Sequence, residues 1–204
     1  MQVFLETERL LLRRFTEWDV QNLVDLDSDP DVMHFLTGGA PTPPSVIEEE
    51  VLPRILAEYQ RSPHFGCWAA IERPTGAFLG WFEFRPRPGG APDEIVLGYR
   101  LRKSAWGKGY ATEGSRALIR KGFTQTAARR VVADTMAVNS RSRRAMEKAG
   151  LRLVRTFHTP WTGHPIEGAE QGEVEYALGR SDWEQREAAD SHQWPSQTSA
   201  DRTR

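Results

Sequence analysis

The sequence has very little cysteine, no marked excess of charge and no long apolar segment. Cys67 is the only cysteine among 204 residues, so no internal disulfide can form, which fits a reducing compartment. Its position in an apolar run is typical of a small buried side chain rather than a nucleophile. The 27 basic and 28 acidic residues nearly cancel. This balance gives no overall electrostatic reason to expect binding to nucleic acid or to an acidic membrane.

Targeting and membrane signals are also missing from the sequence. The first 15 residues, MQVFLETERLLLRRF, carry charges inside their apolar run and show no small-residue cleavage site, which predicts no secretory signal. No apolar stretch approaches the roughly 20 residues of a membrane-spanning helix. We therefore expect a cytoplasmic protein with no membrane partner. The sequence leaves the oligomeric state open, with a homodimer as one option.

The hydrophobic pattern predicts one mixed α/β domain over residues 1–187 and a polar, disordered tail over residues 188–204. A strand, a helix and a second strand at 94–101, 109–123 and 129–138 form a crossover unit, which requires a parallel strand pair. The other predicted strands pair in antiparallel fashion through short turns. The predicted strands are 9–15, 65–72, 77–84, 94–101, 129–138, 151–157 and 172–178.

The segment WGKGYAT, residues 106–112, places two glycines where a predicted strand meets a predicted helix. The first amides of a helix lack intrahelical acceptors, and the helix dipole adds partial positive charge there. Gly107 and Gly109 would let an anion approach the backbone, while Lys108 and Thr112 would add a cation and a hydroxyl. Taken alone, the pattern fits a phosphate cradle and a tight structural turn equally well. It matches neither the Walker A motif nor the GxGxxG motif.

Four segments, in order, resemble the GNAT superfamily of N-acetyltransferases and, within it, the RimJ/RimL-like group. They are LETERLLLRRFTEWD, WGKGYATE, VNSRSRRAMEKAGL and EVEYALGRSDW. The resemblance implies a mixed, mostly antiparallel seven-stranded sheet in which the parallel strands 94–101 and 129–138 splay apart. It also implies acetyl-CoA as the acetyl donor. The implied acceptor is a primary amine, on a protein N-terminus or a small molecule, that attacks directly in a ternary complex.

The same resemblance assigns the residues that contact acetyl-CoA. The pyrophosphate loop falls on residues 104–109, with Ser104 in place of the usual Gln or Arg. The backbone of residues 99–101 would pair with the pantetheine arm as an added strand. Asn139 would meet the cofactor arm, although a helix cap is the alternative reading of that residue. The implied contacts are Tyr99, Arg100, Leu101, Trp106, Gly107, Lys108, Gly109, Tyr110, Ala111, Thr112, Asn139, Ser142 and Arg144, and Arg141 could also reach the phosphates.

Acetyl transfer requires that the attacking amine lose a proton and that the leaving thiolate gain one. Many GNAT enzymes use a tyrosine of the short helix as the acid, but Met146 stands at that position, so Ser142 is the candidate acid. Val96 occupies the position of a frequent catalytic glutamate. The candidate bases are therefore Glu94, which shares the side-chain parity of Val96, and Glu83 on the neighbouring strand. Both carboxylates could instead be solvated strand residues.

The acceptor pocket is expected across the sheet, lined by Phe35, Trp81, His158 and Trp161, with a structural role as the alternative for His158. The departures at the loop, base and acid positions also fit a non-catalytic acyl-CoA-binding or sensor module. Such a module would bind coenzyme A without consuming thioester. A third alternative is an interaction domain without a cofactor, which would not bind acetyl-CoA at all.

Overall fold

The structure, a computed structural model, describes residues 2–159 and 166–192. Its strands are β1 (Val3–Glu6), β2 (Leu10–Arg14), β3 (Gly66–Glu72), β4 (Phe78–Pro86), β5 (Glu94–Leu101), β6 (Arg130–Met136), β7 (Arg152–Phe157) and β8 (Glu173–Gly179). Its helices are α1 (Val20–Asp27), α2 (Pro30–Thr37), α3 (Pro44–Val46), α4 (Leu52–Glu58), α5 (Tyr110–Gln125), α6 (Ser140–Lys148) and α7 (Arg180–His192). None of the helices within the described ranges is long and apolar enough to cross a membrane.

The strands form one mixed sheet of eight strands in the order β1-β2-β3-β4-β5-β6-β8-β7. This confirms the predicted α/β class with its mostly antiparallel sheet and its single parallel pair, β5 with β6. The predicted number of seven strands was wrong, because β1 is an additional edge strand. β1 has only four residues and turns directly into β2 at Thr7, whose hydroxyl accepts the Leu10 N–H at 2.9 Å. A segment this short carries too little alternation to be recognised from sequence.

The parallel pair is short, and this shortness creates an opening in the sheet. β5 and β6 pair only where residues 94–96 face residues 130–132. Beyond Val96, β5 continues to pair with β4 along its other edge as far as Leu101. Within the described residues, the edge of β5 that faces β6 therefore has no strand partner from Leu97 to Leu101. Its backbone groups are available to a ligand except the Leu101 carbonyl, which accepts the Trp106 indole N–H at 2.8 Å.

α5 packs closely against the face of the sheet that carries Phe82 and Phe84. A Cβ atom added at Gly114 would lie 2.4 Å from Phe82 Cζ, and one added at Gly122 would lie 2.5 Å from Phe84 Cζ. Both phenylalanines are fully buried. Because side chains alternate along a strand, Glu83 lies on the opposite face of the sheet, where α1 and α4 pack. The close approach of α5 fixes its first turn beside the opening between β5 and β6.

This packing predicts that Gly122→Ala destabilises the protein. Glycine-to-alanine changes at exposed helix positions usually stabilise by up to about 1 kcal/mol. Here the added methyl group collides with the buried Phe84 ring, so we expect a loss of roughly 1–3 kcal/mol in the free energy of unfolding. Denaturant unfolding measures the change, with the exposed helix variant Thr124→Ala as control. A Gly122→Ala protein more stable than the wild type would contradict the packing.

One helical segment contains a π-helical stretch, and the last helix extends into the predicted tail. A π-helical stretch, Ile47–Val51, joins α3 to α4 without a break and precedes Pro53, where the sequence predicts a kink or an early end. Proline lacks an N–H group and its ring crowds the preceding turn, which a widened turn accommodates. α7 runs to His192 and so passes the predicted start of the tail at residue 188. The remaining tail residues, 193–204, lie outside the described residues.

Candidate active site

An open cleft of about 1480 Å³ lies where β5 and β6 diverge. One wall is the free part of β5, and the facing wall is β6 from Ala133 to Met136. The first turn of α5 and the length of α6 border it on one face of the sheet, and α2 and side chains of β4 border it on the other. The cleft therefore opens on both faces, which allows two molecules to meet between the strands.

Two glycines shape the loop that enters α5. Gly107 and Gly109 have φ angles of 72° and 86°, in the left-handed region that favours glycine. A Cβ atom at Gly107 would meet nothing within 4 Å, so its backbone conformation, rather than crowding by the protein, calls for glycine there. The first intrahelical bond runs from the Glu113 N–H to the Gly109 carbonyl at 3.0 Å. The amides of residues 110–112 therefore precede the helical hydrogen-bond pattern and can bind an anion.

The turn between β1 and β2 holds this loop in place. Arg9 donates from Nε to Glu113 Oε2 at 2.7 Å and from Nη1 to the Lys108 carbonyl at 2.9 Å. The Thr7 hydroxyl donates to Glu113 Oε1 at 2.6 Å, and the Arg9 guanidinium lies over the Tyr110 ring at 4.7 Å. Burial would raise the pKa of Glu113, but its bonds to Thr7 and Arg9 outweigh that effect and lower it. Glu113 is thus a permanent anion that fixes the loop.

The mouth of the cleft around α5 and α6 is rich in positive charge. Arg144 lines it as the resemblance implies, and Arg141 lies over the Trp106 ring at 5.0 Å. The predicted set omitted three further cations that also line the cleft: Arg9, Arg116 and Lys148. Together with the helix N-terminus, these cations match the charge of a diphosphate-bearing donor such as coenzyme A.

Most of the predicted cofactor residues come together in this cleft. Every member of the implied set lines the cleft except Lys108, which is not among the described lining residues. The Lys108 carbonyl instead accepts a hydrogen bond from Arg9, which helps to hold the loop. The backbone N–H of Trp106 donates to the Lys103 carbonyl at 3.1 Å, so this amide is not available to an anion. Asn139 lines the cleft and also caps α6, since its Oδ1 accepts the Ser142 N–H at 3.1 Å.

A hydroxyl pair connects the two sides of the opening. Tyr99 on β5 and Ser142 on α6 place Oη and Oγ 3.1 Å apart, and the Tyr99 hydroxyl also donates to the Ser142 carbonyl at 3.2 Å. Burial raises the pKa of Tyr99 above its usual value, with the bond to Ser142 acting in the opposite direction. The Tyr99 ring packs on Phe82, with ring centroids 5.8 Å apart, and so lies on the α5 face of the sheet.

Two carboxylates line the cleft on the other face. Glu83 pairs with Gly98 across β4 and β5, and a Cβ atom at Gly98 would lie 2.6 Å from Glu83 Oε1, so the missing side chain leaves room for this carboxylate. Asp134 stands two residues beyond the last paired residue of β6, as Gly98 does on β5. The two carboxylates therefore flank the point where the strands part.

Both carboxyl groups have raised pKa values. Burial raises the pKa of Glu83, and the Arg85 guanidinium, 3.0 Å from Glu83 Oε2, opposes this effect. Asp134 itself is exposed to the cleft, but desolvation by the surrounding strands still raises the pKa of its carboxyl group, with Arg87 opposing the shift. The negative charge of Asp134 also disfavours ionisation of Glu83 and so raises the pKa of Glu83 further. A carboxylate whose pKa is raised toward neutrality is better matched to proton transfer.

Glu94 does not lie in this cleft, unlike Glu83. It stands at the paired end of β5, opposite Arg130, and is not among the described residues that line the opening. Its carboxylate oxygens lie 3.0 Å from Arg87 and 3.1 Å from Arg130. Side-chain parity alone suggested Glu94, but the strands part only after Val96, so the candidate falls at the closed end of the pair.

Of the residues expected to line the acceptor pocket, two lie on the cleft and one does not. Phe35 on α2 and Trp81 on β4 line the cleft. His158 is not among the described lining residues; its Nε2 lies 3.2 Å from the Glu170 carbonyl, which supports the structural alternative. Trp161 lies outside the described residues.

The sequence pattern contained signals for some of the missed residues. Asp134 interrupts the valine-rich strand RVVADTM, and an acid at a predicted strand position beside the opening could have been singled out. Arg9 belongs to the LETERL segment, but its partner Glu113 is 104 positions away. Only the fold shows that the two segments meet.

Comparison with known proteins gives the cleft a family context. The family model "Acetyltransferase (GNAT) domain" matches residues 9–152. The FsC-acetyl coenzyme A-N(2)-transacetylase of Aspergillus fumigatus is 32% identical over 189 residues, which cover 89% of this chain and 78% of that protein.

Two solved structures show the same fold. A GNAT-family acetyltransferase from Bacillus anthracis has a TM-score of 0.68 and 23% identity, covering 89% of this chain and 99% of that one. An aminoglycoside acetyltransferase in complex with coenzyme A has a TM-score of 0.69 and 22% identity, covering 87% and 99%. The chain therefore belongs to the GNAT family of acetyltransferases, enzymes that take the acetyl group from acetyl-CoA.

Proposed function

We propose that this protein moves the acetyl group of acetyl-CoA directly to a primary amine while both substrates are bound. When bound, acetyl-CoA supplies an activated acetyl group on a thioester sulfur. The observation that carries the proposal is the two-sided cleft. Cations and a helix N-terminus surround it on the α5 face, and carboxylates and aromatic side chains border it on the other.

The residues that would hold the donor are those of the first face. The amides at the start of α5 and the side chains of Arg141 and Arg144 would bind the phosphates, while Arg9, paired with Glu113, holds the loop in place. The free edge of β5 offers backbone groups to the pantetheine arm in the manner of an added strand. Loop, helix and strand are rigid elements, so the donor would be oriented before the acceptor arrives.

The residues that would act on the acceptor are those of the second face. An amine with a pKa of about 8 to 10 is mostly protonated at neutral pH and must lose a proton before it can attack. Glu83 is the base in this proposal, directly or through a water molecule, because its carboxylate reaches the opening over Gly98. Asp134, on the facing strand, would hold the acceptor ammonium and balance its charge.

The charge and polarity of the residues on this second face indicate the class of acceptor. The carboxylates of Glu83 and Asp134 suit a cationic amine, and Trp81 and Phe35 suit a partly apolar group that carries it. Arg100, which lies over the Trp81 ring at 5.2 Å, is ion-paired with Asp27. The names of the relatives, an N(2)-transacetylase and an aminoglycoside acetyltransferase, support a small polar amine. The resemblance to the RimJ/RimL-like group supports a protein N-terminus instead. Both acceptors present the same reacting atom, a primary amine nitrogen.

The experiment that tests the proposal offers acetyl-CoA with peptides, polyamines and aminoglycosides. Thiol release is followed with a chromogenic reagent, and the acceptor gains the mass of an acetyl group. We expect transfer to at least one of these amine classes. Tight binding of coenzyme A without thioester consumption would favour the sensor module instead, and absence of coenzyme A binding would contradict both functions.

A further inference from the structure

We propose that Tyr99 donates the proton that the departing thiolate takes up, and that Ser142 is its hydrogen-bonded relay. This inference rests on the proposed function, since it concerns the second half of the same transfer. Ser142 alone was the sequence-based candidate for the acid. The structure adds a phenol on the opposite wall of the cleft, in direct hydrogen-bond contact with that serine.

The geometry distinguishes the two hydroxyl groups. The Tyr99 hydroxyl donates to the Ser142 carbonyl, so in the Oη–Oγ pair the Ser142 hydroxyl is the donor to Tyr99 Oη. Ser142 is thus placed to supply a proton to the phenol oxygen after that oxygen has given its own away. Tyr99 stands next to Gly98, in the part of β5 that pairs with β4 but, among the described residues, has no strand along its β6-facing edge. Its hydroxyl therefore crosses the opening in which the thioester would lie.

Among the described residues that line the cleft, no other hydroxyl group offers a comparable proton. Met146 lines the cleft from α6, but its thioether carries no acidic hydrogen. Thr135 accepts a bond from Asn139 Nδ2 at 3.2 Å, and its aliphatic hydroxyl is a much weaker acid than a phenol. Of the tyrosines, Tyr110 also lines the cleft, but its hydroxyl is committed to Glu72 away from the opening.

The proton balance of the transfer is complete without any further reactant. The ammonium acceptor releases one proton to become a nucleophile and a second as the C–N bond forms. The C–S bond breaks and leaves its electron pair on sulfur. Both protons from nitrogen pass to the solvent, through Glu83 in this proposal. One proton reaches the sulfur from Tyr99 Oη, which recovers it through Ser142 from the solvent, so the net release is one proton. No oxidation or reduction takes place.

The protonation state of Tyr99 suits a donor. Burial raises its pKa, so the phenol keeps its proton at neutral pH. Thiols have pKa values of about 8.5, close enough to that of a phenol for efficient transfer between the two. The hydrogen bond from Ser142 favours the phenolate and lowers the pKa of Tyr99. Ser142 therefore makes Tyr99 the better acid.

The decisive variant is Tyr99→Phe, which keeps the ring against Phe82 and removes only the hydroxyl. We expect the single-turnover rate to fall roughly 10- to 100-fold, as for loss of a general acid. The dissociation constant for acetyl-CoA, measured by calorimetry, should change less than about threefold. Ser142→Ala should lower the rate less, and the double variant should be no slower than Tyr99→Phe, because the two hydroxyl groups act as one unit.

The matched control is Tyr176→Phe. The Tyr176 hydroxyl also bonds to α6, donating to Glu147 at 2.8 Å and accepting from Arg143 at 3.1 Å, but it does not line the cleft. Its loss removes hydrogen bonds of the same kind, and we expect a transfer rate within about twofold of the wild type once folding is complete. A comparable loss of rate in both variants would show a packing effect and overturn the inference.

A second readout needs no substrate. With carbon-13 at Cζ of tyrosine, each of the four tyrosines reports its own ionisation by NMR, assigned through the phenylalanine variants. Ser142→Ala should raise the pKa of Tyr99 in the free enzyme and leave that of Tyr176 unchanged. An unchanged Tyr99 titration would overturn the relay.

The outcomes separate the inference from the proposed function. If the wild type transfers acetyl groups and Tyr99→Phe transfers them equally fast, the inference fails alone. A rise in the Michaelis constant with an intact turnover rate would assign Tyr99 to binding and also overturn it. If no amine is acetylated by the wild type, the proposed function fails first.

Discussion

Replacing Gly107 and Gly109 together by valine should lower the affinity for coenzyme A by about 100- to 1000-fold, equal to about 3–4 kcal/mol. Both glycines have positive φ angles, which cost a branched residue about 1–2 kcal/mol each or force the loop to change shape. A changed loop turns its amides away from the anion. Calorimetric titration with coenzyme A measures the loss.

A matched control is available in the same chain. Gly76 and Gly89 have φ angles of 71° and 69°, and a Cβ atom at either would meet nothing within 4 Å, as at Gly107. Neither lies on the cleft. Valine at both positions should cost comparable folding stability and leave coenzyme A affinity unchanged. Equal loss of affinity in the two double variants would show that strain, and not the anion site, is responsible.

The second large effect is expected for Glu83→Gln, with a fall in turnover of roughly 100- to 1000-fold and no loss of stability. The amide fills the same space over Gly98 but cannot accept a proton. Burial raises the pKa of Glu83 in the folded state, so the folded protein favours the protonated carboxyl group. The stability that this group contributes is therefore present at low pH and is lost as the pH rises through the pKa of the folded state. At neutral pH the neutral amide should therefore fold at least as stably as the carboxylate.

The pH profile adds a test with a definite sign. In the wild type, kcat/KM should fall as the pH drops through the raised pKa of Glu83, because the base becomes protonated. That limb should disappear in Glu83→Gln. Thermal unfolding at neutral pH should show a melting temperature equal to or higher than that of the wild type.

Glu175→Gln is the contrasting control. Burial alone would raise the pKa of Glu175, but hydrogen bonds from Arg155 and Arg87, at 2.9 and 2.8 Å, outweigh it and lower the pKa. Glutamine at this buried position should therefore destabilise the protein. If Glu83→Gln were equally destabilised, or if it kept wild-type turnover, Glu83 would be a structural residue and not the base.

The sequence was sufficient for the parts of the fold that depend on local pattern. Alternating apolar residues specify β3, β4 and β5, and the glycines before α5 specify where that helix begins. Each of these signals is contained in a short stretch of sequence. The loop that we propose binds the cofactor lies inside one such stretch, so its position could be predicted. β1 could not, because four residues before a charged turn carry almost no period.

The residues proposed to act in catalysis depend on strand register instead. Whether Glu83 or Glu94 faces the opening is decided by where β5 and β6 stop pairing, and no local pattern encodes that point. Asp134 and Tyr99 gain their significance from partners on other elements, Glu83 across the cleft and Ser142 on α6. These contacts join residues about 40 to 50 positions apart in the sequence, so they can be recognised only from the folded structure.

The most direct test of the account is a crystal structure of the protein soaked or co-crystallised with coenzyme A. We predict that the diphosphate binds at the first turn of α5, against the amides that follow Gly107. We also predict that the sulfur lies between β5 and β6, beside Gly98 and within reach of the Tyr99 hydroxyl. Coenzyme A bound elsewhere, with the start of α5 bare and the strands empty between Leu97 and Met136, would contradict it.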